Sequence, residues 1–303
     1  MIAEYLRELE RRLGAVGVRG RAARRILAEA EDHLREAAAT DDEDGAIQRF
    51  GHADRVAQMV AAELGVRRTC AATYWTFVAL ALAGIAFTIA LLLMPAAGGW
   101  PDLFGGRFGG AGVVIGVALL VFPQIAFVSG CLALVRALRL RSARSAADSE
   151  LRLLRRRGAV ALTGTVVTLA ALVAYAFDFR AEIASWWTLS VLTISLALVV
   201  PLLAAAIGLA WSARLAVTTA GRAGDVFDDL APLLRVDVVR RLDLPEHPWR
   251  FAMLCAGAVG VAGFVGGAWA EGGPGSGLAR GGFEAVALLA SFAALGRPLG
   301  LRR

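Results

Sequence analysis

The chain has 303 residues with a mean hydropathy of +0.61 and a formal net charge of +6, and 57% of the residues are hydrophobic. The charged residues leave five uncharged runs, at 69–101, 108–135, 158–177, 183–213 and 251–270. Because a helix needs roughly 20 apolar residues to cross a bilayer, each run can hold one crossing. This composition excludes an ordinary water-soluble protein and predicts an all-α integral membrane protein.

Residues 1–68 differ from the rest because they hold 12 arginines and 13 acidic residues, a mixture typical of a water-exposed surface. Apolar residues recur at helical spacing from Tyr5 to Leu13, and a second helix is predicted at about 19–38. A short third helix ends at Gly51, and a fourth leads to the membrane. We therefore predict a cytoplasmic helical domain at 1–68, followed by a transmembrane domain at 69–303.

Three motifs in this region resemble those of HAAS-type domains. They are Tyr5-Leu-x-x-Leu9, then Ile26-Leu-x-Glu29-x-x-x-His33-Leu34, then Ala46-Ile-x-x-Phe50-Gly51 with Val56-Ala57 after it. The resemblance covers about the first 65 residues. The chain departs from the family at His52 and Ala53, where Asp or Ser followed by Pro is usual, and this weakens the expected start of the last helix.

The resemblance carries a functional expectation. HAAS-type domains head bacterial membrane proteins that are often encoded beside PadR-like repressors, and the permease-prefix domains of some transporter subunits are similar. It implies a cytoplasmic regulatory module that binds a signalling or transcriptional partner. On this basis we expect Glu29, His33, Phe50 and Gly51 to contribute to partner binding.

The uncharged runs and the tail predict six spans, at about 72–94, 111–135, 158–177, 187–211, 251–270 and 282–299. Arginine is concentrated in alternate connections, with eight in 136–157 and six in 214–250. The other connections hold only Arg107, Arg180 and Arg280. Since arginine-rich loops stay in the cytoplasm, both termini of this multi-pass plasma-membrane protein are expected there.

The seven tryptophans lie near the predicted ends of the spans. Trp186 and Trp187 are assigned to an outer end on this basis, because an amphipathic indole prefers the headgroup level. The tryptophans thus support the same topology.

Polar and small residues within the spans suggest two kinds of site. Glu284 is either an ion or proton site or an interfacial carboxylate at a helix N-terminus. We favour the second because we find no basic or histidine partner at a matching depth elsewhere in the membrane region. Gly260, Gly263 and Gly267 predict a helix-packing face, used either within one chain or in a homo-oligomer.

Features of known catalytic and metal sites are missing from the sequence. The three histidines show no metal-binding spacing, and there is no phosphate-binding glycine loop. We expect no enzyme activity, no cofactor and no metal. The arginines of 136–157 are expected to serve topology and anionic lipids rather than to bind nucleic acid directly, because no aromatic residues are interleaved with them.

The leading hypothesis is a membrane regulator whose N-terminal domain binds a cytoplasmic partner such as a PadR-like protein. The alternative is a permease-like transporter subunit that works with a separate ATPase. The alternative rests on the prefix-like N-terminal domain, on Glu284, and on Pro123 and Pro201. The two prolines interrupt two spans at corresponding positions, and broken helices can mark transport sites. A proline of this kind more often only kinks a membrane helix.

Overall fold

The structure is a computed structural model that describes residues 1–40, 42–97, 109–141, 146–215, 248–271 and 273–295. Over these residues the chain forms nine α-helices, one short 3-10 turn and no strand. The all-α fold class is therefore confirmed for the part of the chain that the structure describes.

The first three helices are short and amphipathic. They are α1 (Ile2–Ala15), α2 (Arg21–Thr40) and α3 (Glu43–Phe50). The side chain of Asp42 accepts a hydrogen bond from the Gly45 amide at 2.8 Å and so caps the start of α3. These helices pack with the beginning of the next helix around one apolar core, and we call this unit (residues 1–66) the N-terminal bundle.

Helix α4 (Ala53–Leu93) runs without a break for 41 residues, which is roughly 60 Å. It begins at Ala53, and the amide of Val56 bonds to the His52 carbonyl, although the first-turn proline of the resembled family is missing. The fourth helix of the bundle and the first predicted span are thus one helix. The expected domain boundary between residues 68 and 69 lies inside it.

The remaining elements are also helical. The 3-10 turn Pro95–Ala97 is followed by α5 (Gly109–Arg141), α6 (Asp148–Asp178), α7 (Ser185–Ser212), α8 (Pro248–Glu271) and α9 (Pro274–Leu295). Four helices are long and apolar enough to cross a membrane, with the segments Ala53–Ala90, Gly112–Arg141, Asp148–Asp178 and Ser185–Ser212. These segments contain most of the first predicted span, the second predicted span from Gly112 onward, and the whole of the third and fourth.

The fifth and sixth predicted spans correspond to α8 and α9. The apolar part of α8, Ala252–Ala268, is shorter than the four long segments. Helix α9 begins at Pro274, eight residues before the predicted start of the last span at 282. The predicted end at 299 lies outside the described residues.

Helices α4 to α7 pack together, and the α8–α9 hairpin joins them through a contact between α9 and α5. Large aliphatic side chains cover much of the outer surface: Leu92, Leu196 and Val200 are each more than 70% exposed. A water-soluble monomer rarely leaves such an extensive apolar surface uncovered, whereas hydrocarbon solvates it. The packing is that expected of a multi-pass membrane protein.

The end of the helices farthest from the N-terminal bundle is closed by an aromatic cluster. Trp187, only 2% exposed, packs beside Tyr175 and donates its indole N–H to the Ala90 carbonyl at 3.0 Å. Trp187 thus lies at the end of the helix, as expected, but it is buried against α4 and does not face the lipid headgroups. Its neighbour Trp186 is 46% exposed.

These two adjacent tryptophans give a matched stability test. Trp187→Phe removes a buried hydrogen bond and part of a packed ring, so we expect it to lower the free energy of unfolding by about 1–3 kcal/mol. Trp186→Phe makes the same change at an exposed position, and we expect an effect within about 0.5 kcal/mol. Thermal denaturation of the full chain in detergent measures both; equal midpoints would contradict the assignment.

Candidate functional site

Two of the motifs noted in the sequence meet in the N-terminal bundle. The Tyr5 hydroxyl donates a hydrogen bond to the Gly51 carbonyl at 2.8 Å, and the Tyr5 ring meets Phe50 edge-on, with centroids 5.9 Å apart. Burial raises the pKa of Tyr5, so its hydroxyl remains a donor at neutral pH. Gly51 ends α3 with φ of 97°, a conformation that favours glycine.

Phe50 and Gly51 therefore hold α1 against α3. The half-buried Phe50 ring packs on the bundle core. These two predicted partner-binding residues lie in a contact that organises the bundle itself, and the structure gives them a packing role.

The other two predicted residues, Glu29 and His33, lie on the exposed side of α2. Helix α2 packs on α1 and α3 and buries Ala23, Ala30 and Leu34. The exposed polar residues of α2 include Arg25, Glu29, Asp32, His33 and Glu36, and we call these five the α2 outer face. Glu29 pairs with Arg25 at 3.3 Å within this face. A charged, solvent-exposed helix face of this kind is available to a soluble partner.

The end of α7 docks on the N-terminal bundle, a contact that the sequence analysis did not predict. Leu215 is 3% exposed and packs in the same core as Leu9, Leu13 and Val18. The turn between α1 and α2 lies directly against this segment: a Cβ atom on Gly17 would be only 2.5 Å from the Arg214 carbonyl oxygen. The bundle is thus attached to the membrane helices through α7 as well as through α4.

This contact also bears on topology. It places the bundle and the end of α7 on one side of the apolar helices, as the arginine distribution requires for the N-terminus and segment 214–250. The signal for this contact in the sequence was weak, because Leu215 is a single apolar residue beside Arg214 at the end of a long uncharged run.

The end of α5 and the start of α6 pack against α4 where α4 leaves the bundle. Ala62 and Val66 of α4 share a buried cluster with apolar residues at the end of α5 and the start of α6. Arg139 and Glu150 pair at 3.1 Å across the connection. Arg136 and Arg157 are fully buried, and Arg157 donates to the Leu132 carbonyl at 3.2 Å. These two arginines were expected to face lipid headgroups and instead lie inside the protein.

The α8–α9 hairpin brings the three glycines of the predicted packing face against α9. A Cβ atom added to Gly260 would lie 3.2 Å from the Gly281 carbonyl oxygen. One added to Gly263 would lie 2.6 Å from Glu284 Oε2, and one added to Gly267 would lie 3.1 Å from the Gly277 Cα. The absence of side chains lets the two backbones approach closely. The packing face was expected to act either within one chain or in a homo-oligomer, and the structure contains the contact within one chain.

Glu284 has a different environment from the one expected. It lies ten residues after the first residue of α9, so it is not at the helix N-terminus. Arg280, one turn earlier, donates its Nε to Glu284 at 3.1 Å. This basic partner lies on the same helix, where the i, i+4 spacing places the guanidinium beside the carboxylate, whereas the expectation concerned partners elsewhere in the membrane region.

The proline of the second predicted span lies at a cavity. Pro123 lines an apolar cavity of about 560 Å³ between α4, α5 and α6. Thr165 and Thr168 also line it, but their hydroxyls donate at 2.8 Å to carbonyls of their own helix. The transporter alternative stays a prediction.

Among the residues that the structure describes, no group of three histidine, cysteine or acidic side chains could hold a metal ion. His33 and His52 are both exposed, and His247 lies outside the described residues.

The fold thus defines an all-α protein in which long apolar helices are joined to an N-terminal helical bundle. Residues 4–59 match the HAAS family model, so the chain carries a HAAS domain at its N-terminus. This confirms the resemblance seen in the motifs and places the family match on the bundle rather than on the apolar helices. No curated protein and no solved structure matches the chain.

The bundle–α7 contact gives a sharp mutational test. Gly17 and Gly20 have φ of 84° and 68°, so alanine at either position is strained by about 1–2 kcal/mol. Only at Gly17 does the new Cβ meet Arg214, whereas nothing lies within 4 Å at Gly20. We expect Gly17→Ala to cost a further 1–3 kcal/mol, roughly, from overpacking. Denaturation midpoints of the two full-length variants measure the difference, and a smaller loss at Gly17 would refute the contact.

A second glycine pair tests the α8–α9 hairpin. Alanine in a helix is favoured over glycine by about 1 kcal/mol, so Gly266→Ala, with nothing near the new Cβ, should stabilise the protein. Gly263→Ala forces the Glu284 carboxylate or the Gly281 backbone to move. We expect a net loss of about 1–3 kcal/mol there. Thermal melts in detergent distinguish the two; stabilisation by both changes would show that α9 does not lie against Gly263.

Proposed function

We propose that this protein is a membrane regulator whose HAAS domain lies in the cytoplasm and binds a soluble signalling or transcriptional protein, with a PadR-like repressor as the leading candidate. The observation that carries the proposal is the HAAS match at residues 4–59, on a bundle attached to helices that are long and apolar enough to span a membrane. Neither enzyme activity nor direct nucleic-acid binding is part of this proposal.

The α2 outer face is the proposed docking surface. Arg25, Glu29, Asp32 and Glu36 follow one another at spacings of four, three and four residues, so they form one stripe along the helix. Helix α2 packs on α1 and α3, while α1 packs on α4. The α2 outer face therefore points away from the membrane helices, toward the space that a soluble partner would occupy.

Signal transfer is supported by the two attachments of the bundle. Helix α4 is continuous from Ala53 to Leu93, and Leu215 at the end of α7 is part of the bundle core. A displacement of α4 relative to α7 would therefore strain the bundle or move it. We infer that a change in the membrane region reaches the α2 outer face by this route.

The finer topology is part of the same proposal. We propose six spans, with α8 and α9 as the fifth and sixth, and both termini in the cytoplasm of the plasma membrane. The hairpin packing of α8 on α9 and the contact of α9 with α5 support this arrangement. The arginine-rich connections support the orientation.

Partner capture by the full-length protein in nanodiscs tests the function. We expect the wild-type chain to retain a cytoplasmic regulator from the extract of its own cells, and Glu29→Arg to weaken retention at least tenfold, because charge reversal in an interface creates repulsion. Glu10→Arg makes the same change on an exposed residue of α1 and should leave retention unchanged.

A genetic measurement complements the capture. Deletion of residues 1–51, which removes α1 to α3, should change the expression of the neighbouring genes if the partner is a transcriptional repressor. No regulator captured, together with unchanged expression, would refute the proposed function.

A further inference from the structure

A groove of about 760 Å³ lies between α4 and α5, where α4 leaves the N-terminal bundle. Its volume falls within the range of roughly 300–1,000 Å³ that is usual for ligand sites. The groove is distinct from the α2 outer face, so a ligand can occupy it whether or not a protein partner binds.

The lining of the groove changes from charged to apolar along both helices. On α4, Glu63 and Arg67 come first, and Tyr74 and Trp75 follow two to three turns later. The change from charged to aromatic lining therefore spans roughly 18 Å of helix. Tyr74 and Trp75 are 55% and 60% exposed, as is typical of aromatic side chains at a membrane–water interface.

Helix α5 runs in the opposite direction and shows the same gradient. Arg141 lines the groove at the end nearest the bundle, and Leu138 and Leu134 line it progressively deeper. Two antiparallel helices thus present charge at one level and apolar surface at the next. A ligand that fills the groove must itself be charged at one end and apolar at the other.

The charged end contains two guanidinium groups and one carboxylate. Arginine binds phosphate oxygens through several N–H donors, so Arg67 and Arg141 suit a phosphate group. Glu63, which lies 3.7 Å from Arg67 and one turn farther from the apolar region, suits a cation. A phosphate with an ammonium group beyond it has this order of charges, whereas a purely anionic headgroup would meet the Glu63 carboxylate.

We propose that the groove binds one aminophospholipid, with its phosphate on Arg67 and Arg141 and its ammonium at Glu63. Its acyl chains run along Tyr74, Trp75, Leu134 and Leu138. Because one wall is the helix that continues into the bundle, the lipid contacts α4 at the point where it enters the membrane.

Lipid retention by the full-length protein tests the proposal. The protein is reconstituted into nanodiscs with equal parts of phosphatidylcholine, phosphatidylethanolamine and phosphatidylglycerol, extracted into detergent, and analysed for bound lipid by native mass spectrometry. We expect enrichment of phosphatidylethanolamine. Since each arginine near a membrane surface contributes roughly fivefold, Arg67→Gln with Arg141→Gln should lower its affinity about 25-fold. Glu63→Gln should abolish the preference for phosphatidylethanolamine over phosphatidylglycerol.

Controls separate a specific site from general charge effects and from misfolding. Arg55→Gln with Arg156→Gln removes the same charge from exposed positions outside the groove and should leave retention unchanged. Added phosphatidylethanolamine should raise the denaturation midpoint of the wild type but not that of the Arg67/Arg141 double variant. Equal lipid-free midpoints would show that the double variant is folded.

Three outcomes would overturn the proposal. One is retention of phosphatidylglycerol by the wild type as strongly as phosphatidylethanolamine. Another is equal lipid retention by the two double variants. The third is competition by soluble O-phosphoethanolamine at the concentration at which the lipid binds, which would identify a small-anion site instead. If the wild-type protein captures no partner but still retains the lipid, only the proposed function is refuted and the lipid site stands.

Discussion

Helix α4 connects two environments through one unbroken run of backbone hydrogen bonds. In hydrocarbon, each backbone amide and carbonyl must find its partner within the protein, and an uninterrupted helix provides this at every residue. The same helix supplies Ala53, Val56, Ala57 and Ala61 to the core of the N-terminal bundle. The HAAS domain is therefore not suspended on a flexible linker. Its orientation is fixed by the helix that enters the membrane.

The contact at Leu215 turns this single attachment into a double one. With α4 alone, the bundle could follow every tilt of one helix without strain. Because Leu215 at the end of α7 is buried in the bundle core, a change in the relative position of α4 and α7 would strain that core. At the opposite end of the same two helices, Trp187 of α7 bonds to the Ala90 carbonyl of α4. The two helices are thus connected at both ends, through the bundle core at one end and through the Trp187 hydrogen bond at the other.

The α8–α9 hairpin is held together by a different physical device. Apolar side chains gain little by meeting one another in lipid, so close contact between backbones becomes the main source of helix association. Gly260, Gly263 and Gly267 allow this contact. The Arg280–Glu284 pair lies in the same hairpin, with its carboxylate seated over Gly263. Pairing lowers the cost of placing two charges on a helix with a largely apolar surface.

Composition and periodicity determined the class of the molecule. Long uncharged runs give apolar helices because only a helix satisfies its own backbone in lipid, and the three ordered motifs identified the HAAS domain before any helix was placed. Gly51 was recognised as the end of a helix, since glycine takes positive φ at little cost. These features depend on local sequence, and local sequence is sufficient to predict them.

Tertiary structure decided which residues are buried and which helices touch. The sequence could not show that Trp187, Arg136 and Arg157 lie in the interior while Trp186 and Trp75 remain exposed, because a residue type at a span end is compatible with both environments. Nor could it pair Gly17 with Arg214, residues almost two hundred positions apart. Such contacts arise when separate helices are brought side by side, and spacing along a single helix carries no information about them.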